Sequence, residues 1–295
     1  MKIATIDIGS NAARLLVVDV VVNKQRVAEF NKVNFVRLPT FLGFDVFENG
    51  QISDAKAEKF VSALQVFSDL ITFYDVKHYK ACATSAMRDA KNGNEIIEKV
   101  EKQTGIKIKV ISGDEEAILI NESHIAENMD REHGYLYVNV GGGSTELVFY
   151  VNGKLAYKKS VDIGTIRLLK NLVTESHWNN LKSELKANVK SHLPIVVIGS
   201  GGNINKVFSL SKKKERKPLT LEYLNSSYEE LNGLSVEERM HTYNLSKDRA
   251  ETIVPALKIY INIMQWAGID EMYVPKIGLV DGLAQALYQE IINEF

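Results

Sequence analysis

Ile6-Asp-Ile-Gly-Ser-Asn11, followed by Arg14-Leu15, and Val138-Asn-Val-Gly-Gly-Gly-Ser-Thr-Glu146-Leu147 are the two stretches on which the fold turns. Each is the end of an apolar strand, then a polar residue, a glycine turn and the start of a second strand. Adding 132 to the numbers of Asp7, Gly9, Arg14 and Leu15 lands on Asn139, Gly141, Glu146 and Leu147. One offset at four positions, a glycine among them, reads as a structural duplication.

The surroundings of the two stretches repeat as well. Strands are predicted at Lys2–Ile8, Arg14–Val22 and Arg26–Arg37, and again at Tyr135–Val140, Glu146–Tyr150 and Lys154–Val161, the last pair joined by the turn at Asn152–Gly153. Phe60, Leu64, Phe67 and Leu70 keep helical spacing between Ser53, a candidate N-cap, and about Tyr74. A strand at His78–Ala83, a helix at Asn94–Gln103, a strand at Lys107–Ile111 and a helix from Glu115 to about Asn128 complete the first half. In the second half, helices at about Gly164–Val173 and His177–Ser191 lead to a strand at Ile195–Ile198. A glycine turn at Gly199–Gly202 then opens another helix. Helices at Leu221–Asn232, Val236–Tyr243 and Asp248–Trp266, a strand at Met272–Val274 and a helix at Leu279–Ile292 close the chain. Strands alternating with helices predict an α/β protein. Its expected domains are residues 1–122, with 279–295 packing back on them, and 123–278.

With 295 residues, two cores of ordinary size are expected. The 36 Lys and Arg against 37 Asp and Glu leave no whole-molecule field to hold a nucleic-acid polymer or an anionic membrane, so a polyanion must be gripped locally. The single cysteine, Cys82, excludes an intrachain disulfide framework and reads as a small core residue. Asp7 interrupts the apolar N-terminal run, so no signal peptide is expected, and no apolar stretch reaches the ~18–20 residues of a membrane span. The expected location is the cytoplasm.

Three polar turns each follow an apolar strand: Asp7-Ile-Gly-Ser-Asn11, Asn139-Val-Gly-Gly-Gly-Ser-Thr-Glu146 and Gly199-Ser-Gly-Gly-Asn203. Glycines such as Gly141, Gly142, Gly143, Gly201 and Gly202 let backbone N–H groups approach a phosphate, and the hydroxyls of Ser10, Ser144 and Thr145 add donors. The third turn also opens a helix, whose N-terminus suits anions. None of the three is a Walker loop, a G-x-G-x-x-G dinucleotide turn or a G-x-S-x-G elbow. Asp7 ends a buried strand, where Mg²⁺ would stabilise it while bridging substrate phosphates. Arg14 and Arg88 have the geometry for bidentate phosphate contacts, and Glu115 and Glu116 enter a helix's first turn, where the dipole favours acids. Ser211–Lys217 carries five basic residues around Glu215, a candidate outer track for an anion.

Taken in order, Ile6-Asp-Ile-Gly-Ser-Asn11, Ala83-Thr-Ser-Ala-Met-Arg88, Ile111-Ser-Gly-Asp-Glu-Glu-Ala117, Gly141-Gly-Gly-Ser-Thr-Glu146 and Gly199-Ser-Gly-Gly202 closely resemble the exopolyphosphatase/guanosine pentaphosphate phosphohydrolase family of the actin-like ATPase superfamily. The resemblance runs over essentially the whole chain. It implies two ribonuclease-H-like domains with an interdomain cleft, in the short form without the C-terminal His-Asp-type domain of longer members. The implied activity is hydrolysis of the terminal phosphate of polyphosphate or guanosine pentaphosphate. Glu116 matches the family's catalytic glutamate, and Asp7 and Glu146 its metal-linked and water-linked acids. Arg88 matches its phosphate-contacting arginine, and Ser10, Asn11, Gly141, Gly142, Gly143, Ser144 and Thr145 its phosphate loops. The expected ligands of Mg²⁺, or another divalent cation, are Asp7, Asn139 and Glu146.

One departure stands out. The family's second loop usually begins with aspartate, where this chain has Asn139, whose amide supplies no negative charge. Ile118 and Val280 also occupy positions that are often arginine in the family. A weakly active or non-catalytic guanosine-phosphate or polyphosphate binder is therefore one competing reading, and an actin-like small-molecule kinase, which also pairs glycine turns with Asp7-like residues, is the other. Homodimers are common in the family.

Overall fold

The computed structural model describes residues 1–122, 132–215, 217–275 and 278–293. Residues 123–128 of the helix expected from Glu115, and Arg216 of the basic run, lie outside the described residues. The chain forms two compact units, Met1–Ser123 with Leu279–Phe295, and His124–Gly278.

Unit 1 is built on a five-stranded sheet of order β3-β2-β1-β4-β5. Its strands are β1 (Lys2–Ile8), β2 (Ala12–Val22), β3 (Ala28–Pro39), β4 (His78–Ala83) and β5 (Ile108–Val110). The first three run antiparallel, and β4 and β5 join parallel to β1. The helices are α1 (Leu42–Asn49), α2 (Asp54–Phe73), α3 (Ser85–Asp89), α4 (Gly93–Thr104), α5 (Gly113–Glu122) and, from the end of the chain, α12 (Leu279–Asn293). In α2, Phe60, Leu64 and Phe67 are fully buried, each contributing about 1.5–3 kcal/mol over the exposed state. On the other face, Ile3, Leu16, Val18 and Val20 pack with Val280, Ala284, Leu287 and Ile291 of α12. Cys82 is fully buried among Ile111, Leu279 and Leu283, and burial pushes its thiol up to about 11, as suits an inert core residue.

Unit 2 has a six-stranded sheet of order β10-β11-β9-β6-β7-β8. The strands are β6 (Gly134–Val140), β7 (Thr145–Val151), β8 (Lys154–Val161), β9 (Ile195–Ser200), β10 (Leu219–Thr220) and β11 (Glu271–Tyr273). Its helices are α6 (Thr165–Leu169), α7 (Glu175–Asn188), α8 (Gly202–Leu210), α9 (Leu221–Asn232), α10 (Val236–Tyr243) and α11 (Lys247–Ala267). Helix α11 buries residues around most of its circumference and packs against α6 to α10, forming the centre of this unit's core.

The duplication holds at the level of register. Asp7 stands opposite Arg14 across β1–β2, and Asn139 opposite Glu146 across β6–β7. Each third strand carries a bulge, which shifts the register between Val17 and Val18 in unit 1 and between Phe149 and Tyr150 in unit 2. Those two steps are again 132 residues apart. Both units are α/β with the strand arrangement of a ribonuclease-H-like domain. Three short elements escaped the periodicity: α1, α3 and β10 are too brief to show a repeat. The turn expected at Gly199–Gly202 is also shorter than its glycines suggest, because Gly199 and Ser200 pair with Val138 and Asn139 and remain in β9. Among the described residues, no helix is long and apolar enough to cross a membrane.

Candidate active site

In unit 1 the first turn leaves β1 at Ile8 and is closed by the Gly9 N–H donating to the Ala12 carbonyl at 3.1 Å. It is anchored from outside as well. The Asn11 carbonyl accepts from the N–H groups of Thr40 and Phe41, and the Ser10 carbonyl accepts from Gly43 at the start of α1. The buried Ser10 hydroxyl lies 2.9 Å from that of Ser85, the first residue of α3. Asp7, 5% exposed, is paired through Oδ2 with Arg14. Oδ1 of Asn11 and Oγ1 of Thr40 are buried without a hydrogen-bond partner among the described residues.

Arg88 sits one turn along α3. Its Nη1 donates to the Ile111 carbonyl at 3.1 Å, tying α3 to the segment that enters α5. The two glutamates of that segment then separate by role. The Glu115 carboxylate accepts from the Ser112 N–H at 2.8 Å and the Lys109 ammonium at 3.0 Å, while its own N–H donates to the Ser112 hydroxyl. That is a capping box, and the Ser112 N–H, followed by Lys109, holds Glu115 at about 2, well below the usual carboxylate range. Glu116 is instead buried, at 8% exposure, in the same helical turn.

In unit 2 the glycine loop is closed by the Gly141 N–H donating to the Ser144 carbonyl at 2.9 Å. The loop carbonyls are then all tied to one side. Gly141 accepts from the Thr165 N–H at 3.0 Å, Gly142 from Ile166 at 2.8 Å, and Gly143 from Nε of Arg167 at 2.8 Å. A trans peptide points its N–H opposite its carbonyl, so the N–H groups of Gly142, Gly143 and Ser144 are directed away from α6. Gly164 permits this seat: a Cβ there would meet the Gly142 carbonyl oxygen at 2.4 Å.

A row of polar side chains crosses four strands beside this loop. Register places Ser200 of β9, Asn139 of β6, Glu146 of β7 and Ser160 of β8 side by side. Ser200 donates to Oδ1 of Asn139 at 3.2 Å, and Nδ2 of Asn139 donates to Oε2 of Glu146 at 2.8 Å. Oε1 of Glu146 accepts from Ser144 at 2.6 Å and from Ser160 at 3.3 Å. Glu146 is 2% exposed. The hydroxyl of Thr145 is turned the other way, donating to the Ile163 carbonyl at 2.5 Å.

The third turn meets the same row. Gly201 has φ of 124°, and a Cβ there would lie 3.0 Å from the Val140 carbonyl and 3.6 Å from Oδ1 of Asn139. Tyr260 of α11 donates to the Ser200 carbonyl beneath it, and burial raises its phenol well above the ordinary value. Gly202 opens α8 under the guanidinium of Arg249, which donates to Asn203 at 2.8 Å and would meet a Gly202 Cβ at 2.7 Å.

The structure thus gathers Asp7, Ser10, Asn11 and Arg14 at one turn of unit 1, with Arg88 and Glu116 on successive elements. In unit 2 it gathers Asn139, Gly141–Gly143, Ser144, Glu146, Gly201 and Gly202. Residues that sequence reasoning passed over join them. Ser160, Gly164, Thr165, Ser200 and Arg249 do so in unit 2, and Arg37, directly opposite Arg14 across β2–β3, does so in unit 1. Strand register brings in Ser160, Ser200 and Arg37, while Gly164, Thr165 and Arg249 come from the N-terminus of α6 and from α11. Val280, buried among Ile3 and Leu16, offers no charge where relatives often have arginine. In the basic run, Lys213 donates to the Pro218 carbonyl, and residues 212–215 are exposed.

Known proteins of this architecture make the assignment. The profile of the Ppx/GppA phosphatase family matches residues 21–290. A bifunctional 3-dehydroquinate synthase/phosphatase from Fusobacterium nucleatum is 32% identical over 72% of this chain, which spans 34% of that protein's length. Exopolyphosphatase 1 of Mycobacterium tuberculosis is 23% identical over 96% of this chain and 87% of its own. Among solved structures, the Aquifex aeolicus Ppx/GppA family member has a TM-score of 0.77 at 27% identity, over 100% of this chain and 98% of that one. An exopolyphosphatase from Cytophaga hutchinsonii reaches a TM-score of 0.84 over 98% of each chain at 22% identity, a likeness of fold. With the family match covering most of its length and both glycine turns seated on matching strands, the chain belongs to the Ppx/GppA phosphatase family.

Proposed function

We propose that this protein hydrolyses the terminal phosphate of inorganic polyphosphate, preferring short chains, or of guanosine pentaphosphate, by direct attack of water. The exopolyphosphatases among its relatives support the substrate class. The observation that carries the reading is the glycine loop of unit 2, whose N–H groups are turned outward as phosphate donors beside a buried glutamate. Terminal phosphoryl transfer calls for positioning and charge neutralisation more than for covalent chemistry. In this reading Arg14, Arg88, Ser10 and Asn11 of unit 1 and the loop N–H groups of unit 2 hold phosphate oxygens. Glu116 takes the proton of the attacking water, and Glu146 orients that water.

A divalent cation such as Mg²⁺ fits Asp7: Arg14 holds Oδ2, and Oδ1 remains for the oxygen-seeking ion, in a turn that also carries Asn11, whose Oδ1 is buried without a hydrogen-bond partner among the described residues. Such an ion supplies charge neutralisation on the transferring phosphate. Asn139 and Glu146 fit it poorly, since both ends of the amide and both carboxylate oxygens already hold hydrogen bonds.

With a net charge of −1 and little basic surface beyond residues 211–217, short substrates should bind as well as long ones or better. Phosphate release measured with Mg²⁺ on short polyphosphate, long polyphosphate and guanosine pentaphosphate tests the proposal. Release from at least one, without ATP or an acceptor, supports it. A strict need for ATP and a second substrate points to a kinase. Saturable binding without turnover points to a sensor, the reading that Asn139 favours.

A further inference from the structure

The row Ser200–Asn139–Glu146–Ser160 is directional, and the direction depends on an amide. Asn139 accepts at Oδ1 from Ser200 and donates at Nδ2 to Glu146. An aspartate here would accept from Ser200 but set a second carboxylate against Glu146 at hydrogen-bond distance, an arrangement that calls for a cation between the two. In this chain the donors stand where the cation would: Asn139 covers Oε2 of Glu146, and Ser144 and Ser160 cover Oε1. Gly201 closes over the remaining side, its missing Cβ position 3.6 Å from Oδ1 of Asn139.

We propose that unit 2 orients Glu146 by side-chain hydrogen bonds in place of metal ligation, with Asn139 and Ser160 as the positioning residues. The divalent cation then belongs to the Asp7 turn alone. Ser160 is the member that reaches in from the edge strand, and it is only half-buried. The kinetic part of this inference rests on the phosphatase reading above, and the metal part does not.

Two measurements on the full chain decide it. In a Mn²⁺ titration followed by electron paramagnetic resonance, Asn139→Ala should bind within about twofold of wild type, and Asn139→Asp about tenfold tighter or more, the scale of a changed metal environment. A tenfold or greater loss in Asn139→Ala makes Asn139 a ligand and overturns the proposal. In kinetics on short polyphosphate, Ser160→Ala should lower kcat about tenfold with KM little changed, the scale of one lost hydrogen bond to a charged group, and Ser160→Thr should restore most of it. A Ser160→Ala enzyme with wild-type kcat, or a Ser160→Thr enzyme as slow as Ser160→Ala, overturns the positioning role. Equal melting temperatures keep folding out of the comparison. A wild-type protein that releases no phosphate ends the phosphatase reading and leaves the Mn²⁺ titration to decide this one.

Discussion

The same four positions in the two sheets carry opposite chemistry. In unit 1 the row across β4, β1, β2 and β3 reads Cys82, Asp7, Arg14, Arg37; in unit 2 the equivalent row across β9, β6, β7 and β8 reads Ser200, Asn139, Glu146, Ser160. The first holds one carboxylate and two guanidiniums, the second one carboxylate and three neutral groups. Directly opposed side chains on neighbouring strands stand ~4.5–5.5 Å apart, so Asp7, Arg14 and Arg37 in unit 1, and all four residues in unit 2, adjoin one another across their sheets. The first sets two guanidiniums side by side next to one carboxylate, residue types that suit an anion. The second suits a water or a phosphate edge, because its carboxylate is ringed by donors that fix its direction. One scaffold, duplicated, carries a charged row in unit 1 and a hydrogen-bonded row in unit 2, to which the proposed function gives a gripping and an orienting role.

The division can be broken from either side. The largest effect is expected from Glu116→Gln, which removes the proposed base of unit 1. Phosphate release should fall by about 10²–10⁴-fold, the usual contribution of a general base, with substrate binding and melting temperature unchanged. Near-normal turnover would remove Glu116 from the chemistry. Arg14→Ala comes next. Losing a guanidinium that pairs with Asp7 and, in the proposed function, holds a phosphate should lower kcat/KM by about 10- to 100-fold, and lysine should restore little, since it lacks the planar fork. If Arg14→Lys matches wild type in steady-state assays, the gripping role of the row is lost.

Gly164→Ala tests the seat of the unit 2 loop. Its methyl would collide with the Gly142 carbonyl, costing about 1–3 kcal/mol of stability, to be read from chemical denaturation. A variant as stable as wild type means that the loop is not held by this contact. The smallest effect belongs to Glu115→Gln, which weakens the α5 capping box by about 0.5–1 kcal/mol at neutral pH. The sign follows from the lowered carboxyl, which stabilises the folded state above its ordinary value of 4.5. That contribution is lost as pH falls toward about 2. Melts of the two proteins should therefore differ at pH 7 and converge near pH 2–3. A difference that persists in acid assigns the effect to something other than the charge.

Much of this architecture could be read from local pattern. Alternating and helical periodicities located the long elements within a few residues, since burial on one face imposes them. The glycine turns and their flanking polar residues marked the polar turn of each unit. The adjacent glutamates of α5 could not be told apart by position alone, since both lie in a first turn; the family resemblance singles out Glu116, and the Ser112–Glu115 box identifies Glu115 as the cap beside a buried Glu116. The partnership of Ser160 and Ser200 with the row was invisible for another reason. Each lies far along the chain from Asn139 and Glu146, in a strand whose pattern carries no sign of its neighbour.

What the sequence alone determined is the duplication, the α/β class and the placing of glycines after strand ends, because backbone conformation and one-sided burial are local properties. What only the tertiary structure decided is the partner of every polar residue at those turns. Register in the sheet sets Asn139 between Ser200 and Glu146 and Arg14 between Asp7 and Arg37. A shift of one residue would send each of these side chains to the opposite face, so the polar row of each unit is a property of strand pairing.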